Sequence, residues 1–158
     1  MTSQPEIVEA RTGDLIEHVR RLLREYEREL PVGYCFAQFD REVRGLPGEY
    51  ASPQGVLLVA TVDGQPAGCV ALRPAAIEGA CEMKRLYVLP AFRGTKLGSL
   101  LAERVIDEAR TRHYKRLRLD TYPVSMQAAV KLYERLGFVV VKDVPDPTPG
   151  LLYMELKL

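Results

Sequence analysis

The chain has 158 residues, 47 % hydrophobic and 27 % charged, which is ordinary for a globular protein built on one core. Its 22 basic and 21 acidic side chains leave a net charge of +1. Composition therefore predicts a single domain over residues 1–158 and gives no reason to expect broad attraction to nucleic acid or to an acidic membrane.

The cysteines and the first residues indicate a reducing compartment. Cys35, Cys69 and Cys81 are odd in number and show no CxxC spacing, so neither a disulfide framework nor a metal site is expected. The chain begins without a basic segment followed by an apolar run. No apolar run approaches the roughly 18 residues that a membrane span needs. We expect a cytoplasmic protein without a membrane partner.

The first part of the chain predicts one strand and two helices. A short strand over Glu6 to Arg11 precedes a helix whose cap is Thr12 or Asp14. The apolar face of this helix is formed by side chains at helical spacing, namely Leu15, Val19, Leu22, Leu23, Tyr26 and Leu30. Pro31 ends the helix, and a shorter one is predicted over Asp40 to Leu46.

Three strands follow in the middle of the chain. The apolar run Val56 to Val62 and the segment Pro66 to Leu72 flank Asp63-Gly64, a two-residue hairpin signal. A third strand covers Cys81 to Leu89. Its apolar positions move from odd to even numbers after Lys84-Arg85, which is the change of phase that a β-bulge produces.

The rest of the chain alternates helices and strands. A helix from about Lys96 to Arg112 precedes a strand over Arg116 to Thr121 with strict alternation. The next helix has Ser125 as its candidate cap and ends at Gly137. The remaining segments are a strand over Phe138 to Val141, a loop with three prolines over Asp143 to Gly150, and a last strand over Leu152 to Leu158. Hairpins and crossovers in this order predict a mixed sheet covered by helices.

The segment after the third strand has the composition of a phosphate-binding loop. Arg93, Gly94 and Gly98 lie where a short loop enters a helix. The first N–H groups of a helix have no partner within it, and the helix dipole adds positive character there. An ordinary strand-to-helix turn has the same composition, so the loop alone does not establish a phosphate site.

Two segments together resemble the GNAT family of N-acetyltransferases. The loop Arg93-Gly94-Thr95-Lys96-Leu97-Gly98 is similar to the family's acetyl-coenzyme A motif at its first and last positions. Downstream, Leu132 to Phe138 reads LYERLGF and matches the family's Leu-Tyr-x-x-x-Gly-Phe segment. The chain departs from the family in two places. Lys96 stands where a glycine is usual, and Met126 replaces a customary asparagine.

The resemblance implies an α/β (α+β) protein with the GNAT fold. This fold is a central mixed, mostly antiparallel twisted sheet of about seven strands, splayed into a V and flanked by about four helices. The implied activity transfers an acetyl group from acetyl-coenzyme A to a primary amine by direct attack, without a metal. A small-molecule acceptor is expected; a protein N-terminus or lysine, and an acyl-coenzyme A binding module without turnover, are the alternatives. A homodimer formed through the apolar last strand is a further expectation.

The resemblance also assigns the acetyl-coenzyme A site to one strand and the loop after it. The strand backbone would bind the pantetheine arm and polarise the thioester carbonyl, and the loop would bind the pyrophosphate. The residues are Leu86, Tyr87, Val88, Arg93, Gly94, Thr95, Lys96, Leu97, Gly98 and Ser99. A lysine at position 96 is compatible with this role if its ammonium pairs with phosphate or if its backbone is helical.

Two residues are the catalytic candidates. By resemblance, Tyr133 donates a proton to the departing thiolate, whereas a core aromatic on an amphipathic helix is the alternative. Glu82 is the candidate general base, because an amine that titrates near 10 must lose a proton before attack. An ion-paired strand glutamate is equally compatible with the sequence. Cys81 is interpreted as a core residue, since no histidine is placed to activate it.

The acceptor pocket is expected between the first two helices. The segment Leu30 to Phe39 would supply Tyr34, Phe36 and Phe39 as a partly aromatic lining. The loop Asp143 to Gly150 would form the other wall.

Overall fold

The computed structural model describes residues 3–30, 38–123 and 126–158, and within them the predicted order of elements is found. The helices and strands are β1 Glu6–Glu9, α1 Gly13–Glu29, α2 Phe39–Arg44, β2 Val56–Val62, β3 Gln65–Pro74, β4 Ala80–Val88, α3 Leu97–Thr111, β5 Arg116–Thr121, α4 Gln127–Arg135, β6 Val139–Val140 and β7 Leu152–Lys157. Short 3₁₀ turns cover Gly48–Tyr50 and Pro90–Phe92. The predicted cap Ser125 lies outside the described residues.

The strands form one seven-stranded sheet in the order β1-β2-β3-β4-β5-β7-β6. Among the described strands, β4 and β5 run parallel, whereas the other neighbouring pairs are antiparallel. The prediction of a mixed, mostly antiparallel sheet with helices on it is therefore confirmed.

The two faces of the sheet bury separate hydrophobic clusters. On one face, α1 and α2 pack over side chains such as Leu57 and Val59. On the other face, α3 and α4 pack over side chains such as Leu58 and Val70. Successive strand residues point to opposite faces, so a strand covered on both faces needs apolar residues at consecutive positions. This explains why β2 has an unbroken apolar run in the sequence.

The sheet opens between β4 and β5. The two strands pair at only three positions within their described residues, Ala80 with Arg116, Cys81 with Leu117 and Glu82 with Arg118. Beyond this point β4 continues to Val88 and β5 to Thr121 without pairing to each other. The free edge of β4 therefore presents backbone N–H and C=O groups that no neighbouring strand uses.

A β-bulge lies in β4 where the change of phase predicts it. Cys69 of β3 faces Tyr87, whereas Ala71, two residues on, faces Lys84, so β4 holds one extra residue. Arg85 lies in this bulge with φ of +60°, a left-handed conformation. Past the bulge, Leu86 packs against the cluster under α3, and Tyr87 belongs to the cluster under α1. Without the extra residue these two side chains would exchange faces.

The structure decides between the two predicted helix caps and corrects one expectation about the last strand. The first helix begins at Gly13 with Thr12 as its N-cap, and Asp14 lies within the first turn. The last strand, β7, pairs with β5 on one side and β6 on the other, and is therefore no free edge for a dimer. Val139 and Val140 of β6, which are 62 % and 49 % exposed, lie at that edge instead.

Candidate active site

A cleft of about 590 Å³ lies at the opening of the sheet. Its walls are the C-terminal turn of α1, the end of β4 with the loop after it, the first turn of α3, and α4. All the predicted cofactor residues except Thr95 line this cleft. The Thr95 hydroxyl instead donates a hydrogen bond to the carbonyl of Phe92 in the adjoining turn.

The first turn of α3 presents unpaired backbone donors to the cleft. The first hydrogen bond of the helix runs from the N–H of Leu100 to the carbonyl of Lys96. The N–H groups of Leu97, Gly98 and Ser99 precede it and have no acceptor within the helix. These residues line the cleft, so the positive end of the α3 dipole faces it.

Lys96 adopts the conformation for which the family's motif uses glycine. Its φ and ψ are +66° and 11°, in the left-handed region, and it is the N-cap of α3. A helical backbone at this position, one of the two alternatives expected from the sequence, is therefore wrong. The left-handed conformation costs a lysine about 1 kcal/mol relative to glycine. Lys96 lines the cleft next to the free N–H groups of Leu97, Gly98 and Ser99, where an anion would compensate that cost.

The described lining of the cleft carries three cationic side chains and one carboxylate. Arg93 and Lys96 come from the loop, Arg135 from α4, and Glu29 from the last residue of α1. Arg93 donates to both oxygens of Glu29 at 2.8 and 2.9 Å and to the carbonyl of Val88 at 3.0 Å. Glu29 also accepts a hydrogen bond from the hydroxyl of Tyr87. The Glu29 carboxylate thus holds the Arg93 guanidinium at the cleft.

A second, smaller cavity of about 60 Å³ adjoins the cleft. Tyr26, Leu86, Met126 and Ala129 line both spaces and separate them. The smaller cavity lies between the diverging strands and includes Tyr133 in its lining. We call it the inner cavity. The inner cavity lies past the bulge, beside Leu86, between the end of the cleft and the interior of the splayed sheet.

Tyr133 is buried at the inner cavity, not at the main cleft. Its ring packs against Phe138, with the ring centroids 5.8 Å apart. No residue in the described part of the chain forms a hydrogen bond with its hydroxyl. Burial raises the pKa of Tyr133 strongly, and the nearby Tyr26 and Asp120 add to this effect. The phenol therefore stays protonated through the neutral range, as a proton donor must.

Glu82, the predicted general base, lies apart from both cavities. It is on the last paired position of β4, opposite Arg118, and lines neither the cleft nor the inner cavity. Its carboxylate accepts a hydrogen bond from Nε of Arg73 at 2.9 Å. The structure therefore does not bring Glu82 together with Tyr133 and the predicted cofactor residues.

The remaining predictions divide between core and surface. Cys81 is fully buried, as expected for a core residue, and burial raises the pKa of its thiol to about 12. Phe39 is also core, with 4 % exposure, and does not line either cavity. Leu30 lines the cleft, whereas Tyr34 and Phe36 lie outside the described residues. The loop over residues 143–150 contributes nothing to the described lining of either cavity.

Several site residues were missed by the sequence-based reasoning. Tyr26 and Glu29 are one helical turn apart on α1, and Arg135 follows Leu132 by one turn on α4. These spacings were available in the sequence, since residues three apart share a helix face. Asp120 lines the inner cavity at the end of β5, and no local pattern distinguished it from an ordinary solvated strand residue.

The family comparison covers most of the chain. Residues 16–138 match the model of the acetyltransferase (GNAT) family. An uncharacterized N-acetyltransferase of Schizosaccharomyces pombe is 36 % identical over 90 % of this chain and 88 % of its own length. The chain belongs to the GNAT acetyltransferase family, and the resemblance seen in the loop and in LYERLGF is confirmed.

Two relatives have names that state an activity. The IAA acetyltransferase of Azospirillum brasilense is 33 % identical over 98 % of this chain and 99 % of its own length. The N-acetylaspartate synthetase of Danio rerio is 34 % identical over 84 % of this chain, which corresponds to 47 % of that longer protein.

Solved structures confirm the fold. A GNAT-family acetyltransferase from Staphylococcus aureus superposes with a TM-score of 0.82 at 18 % identity, covering 98 % of this chain and 99 % of that one. The PaiA N-acetyltransferase from Thermoplasma acidophilum, solved in complex with coenzyme A, gives a TM-score of 0.77 at 20 % identity, covering 98 % and 99 %. The predicted open, mixed sheet of the GNAT fold is thus shown for this chain.

The described residues contain neither a membrane-spanning helix nor a cluster of metal ligands. No helix there has the length and apolar character that crossing a membrane requires. No group of three or more histidine, cysteine, aspartate or glutamate side chains there could hold a metal ion.

Proposed function

We propose that the protein is an N-acetyltransferase that moves the acetyl group of acetyl-coenzyme A to the primary amine of a small molecule. The observation that carries this proposal is the arrangement of the cleft. Free N–H groups of the α3 first turn, with Arg93 and Lys96, lie at one end, and the inner cavity with Tyr133 adjoins the other. An anionic tail and a reactive thioester need sites of these two kinds at the two ends of one cleft.

The chemistry of the lining fits acetyl-coenzyme A. Leu97, Gly98 and Ser99 would bind the pyrophosphate through their N–H groups, and Arg93 and Lys96 would neutralise its charge. The unpaired edge of β4 beyond the bulge would bind the amides of the pantetheine arm as a neighbouring strand does. A backbone N–H there would polarise the thioester carbonyl. PaiA, a structural neighbour, is a coenzyme A complex, which supports this assignment.

Catalysis would proceed by direct attack of the amine on the thioester. The amine nitrogen forms a bond to the carbonyl carbon, the carbon–sulfur bond breaks, and the thiolate leaves. Tyr133, protonated and buried beside Leu86, would donate a proton to the sulfur. The names of two relatives, N-acetylaspartate synthetase and IAA acetyltransferase, support a small acceptor over a protein.

Calorimetry and a thiol-release assay test this proposal. We expect acetyl-coenzyme A to bind at micromolar concentrations and free thiol to appear only when an amine acceptor is added. Gly98→Val should abolish binding, because a side chain there grows toward Leu132 and Val88 across the cleft. The control Glu103→Val puts the same side chain on the exposed face of α3 and should leave binding unchanged.

The outcomes separate the alternatives. Binding without amine-dependent thiol release across a broad amine panel would identify a coenzyme A binding module. Transfer to peptide N-termini or lysines, with small amines inert, would identify a protein N-acetyltransferase. Absence of binding at millimolar acetyl-coenzyme A would contradict the proposal altogether.

A further inference from the structure

The inner cavity has charged walls of both signs. Lys84 and Arg85 come from β4, and Asp120 from the end of β5. Lys84 Nζ lies 3.2 Å from Asp120 Oδ2, and this ion pair is mostly buried, with the two side chains 14 % and 34 % exposed. Arg85 is held by Glu42. A cavity next to the predicted thioester site is thus lined by paired charges.

The Lys84–Asp120 pair spans the opening of the sheet. Each residue lies two positions beyond the last paired residues of its strand, Glu82 and Arg118. Side chains two apart on a strand share a face, so both point to the face that carries α1. The pair therefore bridges the diverging strands where their backbones no longer bond to each other.

Three tyrosines line the same cavity, namely Tyr26, Tyr122 and Tyr133. Tyr26 and Tyr133 line it, and Asp120 is close enough to both to raise their pKa values, after the larger effect of burial. Asp120 thus lies near the predicted proton donor for the leaving group, unlike Glu82, which lies outside the cavity.

We propose that the inner cavity, with its volume of about 60 Å³, binds the charged end of an acceptor that carries a carboxylate beside its amine, as a free amino acid does, with the carboxylate at Lys84 and the ammonium at Asp120. This inference rests on the acetyl transfer proposed above and names its substrate class. A zwitterion inserted into the Lys84–Asp120 pair replaces one ion pair with two and adds no net charge to the cavity. An amine without an anionic group would add positive charge beside Lys84 and Arg85, which is costly in a partly buried site.

Asp120 then has a defined task in the reaction. The bound ammonium gives one proton to the Asp120 carboxylate, which passes it to solvent, and the neutral nitrogen attacks the thioester carbonyl. As the carbon–nitrogen bond forms and the carbon–sulfur bond breaks, the nitrogen releases a second proton, and the sulfur takes one from Tyr133, which is then reprotonated. The third proton stays on the amide. The balance is an ammonium and acetyl-coenzyme A giving an N-acetyl amino acid, free thiol and one proton.

Matched acceptors test this inference on the unmodified protein. Thiol release is measured with L-alanine, L-leucine, L-aspartate and L-glutamate, and with the methyl ester and the decarboxylated amine of each. We expect at least one amino acid to exceed both neutralised forms in kcat/KM by about tenfold, which corresponds to about 1.4 kcal/mol. This comparison needs no variant and therefore does not depend on the folding of one.

Variants then locate the contacts. Lys84→Met should raise the KM for the preferred amino acid about tenfold and leave its methyl ester unaffected. Asp120→Asn should lower kcat about tenfold or more for the acid and the ester alike. Lys131→Met makes the same charge change on the exposed side of α4 and should change neither KM nor kcat for the amino acid or its methyl ester.

The possible failures are distinguishable. Amine-dependent thiol release with no preference for acid over ester overturns the carboxylate site and leaves the acetyltransferase proposal standing. A preference that persists unchanged in Lys84→Met overturns the assignment to the inner cavity. Lack of thiol release with every amine overturns both proposals.

Discussion

Arg85 and Glu42 form a two-point ion pair that joins the bulge of β4 to helix α2. Nε and one terminal nitrogen of Arg85 donate to the two carboxylate oxygens at 2.7 and 2.8 Å, and the side chains are only 10 % and 19 % exposed. Arg85 is also the bulge residue with positive φ. The contact therefore holds in place the backbone irregularity that turns Leu86 toward the cleft.

Breaking the Arg85–Glu42 pair should destabilise the protein more than breaking an exposed ion pair does. Glu42→Gln removes the carboxylate charge that the buried Arg85 guanidinium contacts at two points, and we expect a loss of about 3 kcal/mol in unfolding free energy. Glu17→Gln breaks an exposed ion pair with Arg20 and should cost less than about 0.5 kcal/mol. Urea denaturation measures both. Equal losses would contradict a structural role for the Arg85–Glu42 pair.

The same pair should make stability fall in acid. Burial raises the pKa of Glu42, but the hydrogen bonds and charge of Arg85 outweigh burial and hold it below its usual value of 4.5. A carboxyl with a lowered folded-state pKa stabilises the fold above its unfolded pKa, and this contribution is lost as pH falls through the folded pKa. Stability should therefore drop below about pH 4.5 by a larger amount in the unmodified protein than in Glu42→Gln. Parallel curves of unfolding free energy against pH for the unmodified protein and Glu42→Gln would contradict this contribution of Glu42.

Glu29 should compete with the cofactor for Arg93. Its carboxylate binds Arg93 in the cleft and lies at the C-terminal end of α1, where the helix dipole disfavours negative charge. Glu29→Gln should strengthen acetyl-coenzyme A binding by about threefold to tenfold, since it releases a cation and removes repulsion of phosphate. Glu27→Gln, on the same turn but outside the cleft lining, should have little effect. Calorimetry distinguishes the two, and weaker binding in Glu29→Gln would show that Glu29 supports the site.

Two substitutions separate the backbone and the charge of Lys96. Lys96→Gly relieves the left-handed conformation and should raise unfolding free energy by about 1 kcal/mol. Lys96→Met keeps the strain and removes only the ammonium. If that ammonium binds phosphate, both variants should bind acetyl-coenzyme A more weakly and with a shallower dependence on salt. Unchanged affinity and salt dependence in Lys96→Met would exclude the ammonium from the phosphate site.

Tyr133→Phe should affect turnover without affecting cofactor affinity. The substitution removes a buried hydroxyl that no described residue uses as a hydrogen-bond partner, so the fold should tolerate it. We expect kcat to fall about a hundredfold, within the range for loss of a general acid. In the control Tyr114→Phe, the lost hydroxyl binds the carbonyl of Gln54 away from both cavities, and kcat should not change. Normal turnover by Tyr133→Phe would remove Tyr133 from the mechanism.

The pH–rate profile distinguishes the two roles of Glu82, as the predicted general base or as the ion-pair partner of Arg73. A general base at this position requires Glu82→Gln to lose the acidic limb of the pH–rate profile. If Glu82 acts only as the ion-pair partner of Arg73, Glu82→Gln should lower stability and leave the pH–rate profile unaltered. A stopped assay across pH on the folded variant decides between them.

The sequence by itself determined the order of elements, the mixed sheet and most of the loop that lines the cleft. Hydrophobic periodicity and turn residues are local, so α1, the hairpin after Val62 and the helix at LYERLGF could be predicted from neighbours along the chain. Even the bulge at Arg85 was visible, because one extra residue changes the phase of every later side chain in β4.

Only the tertiary structure decided which side chains share a cavity. Lys84 and Asp120 are 36 residues apart, and they meet because β4 and β5 run parallel for three residues and then diverge. Glu82, two residues before Lys84, faces the same way but lies where β4 is still paired with β5. Its carboxylate forms an ion pair with Arg73 of β3. Whether a charged strand residue lines a cavity or forms an ordinary ion pair depends on the position at which the neighbouring strand stops pairing with its own. No local sequence pattern marks that position, because it is set by the separation of two strands that are distant along the chain.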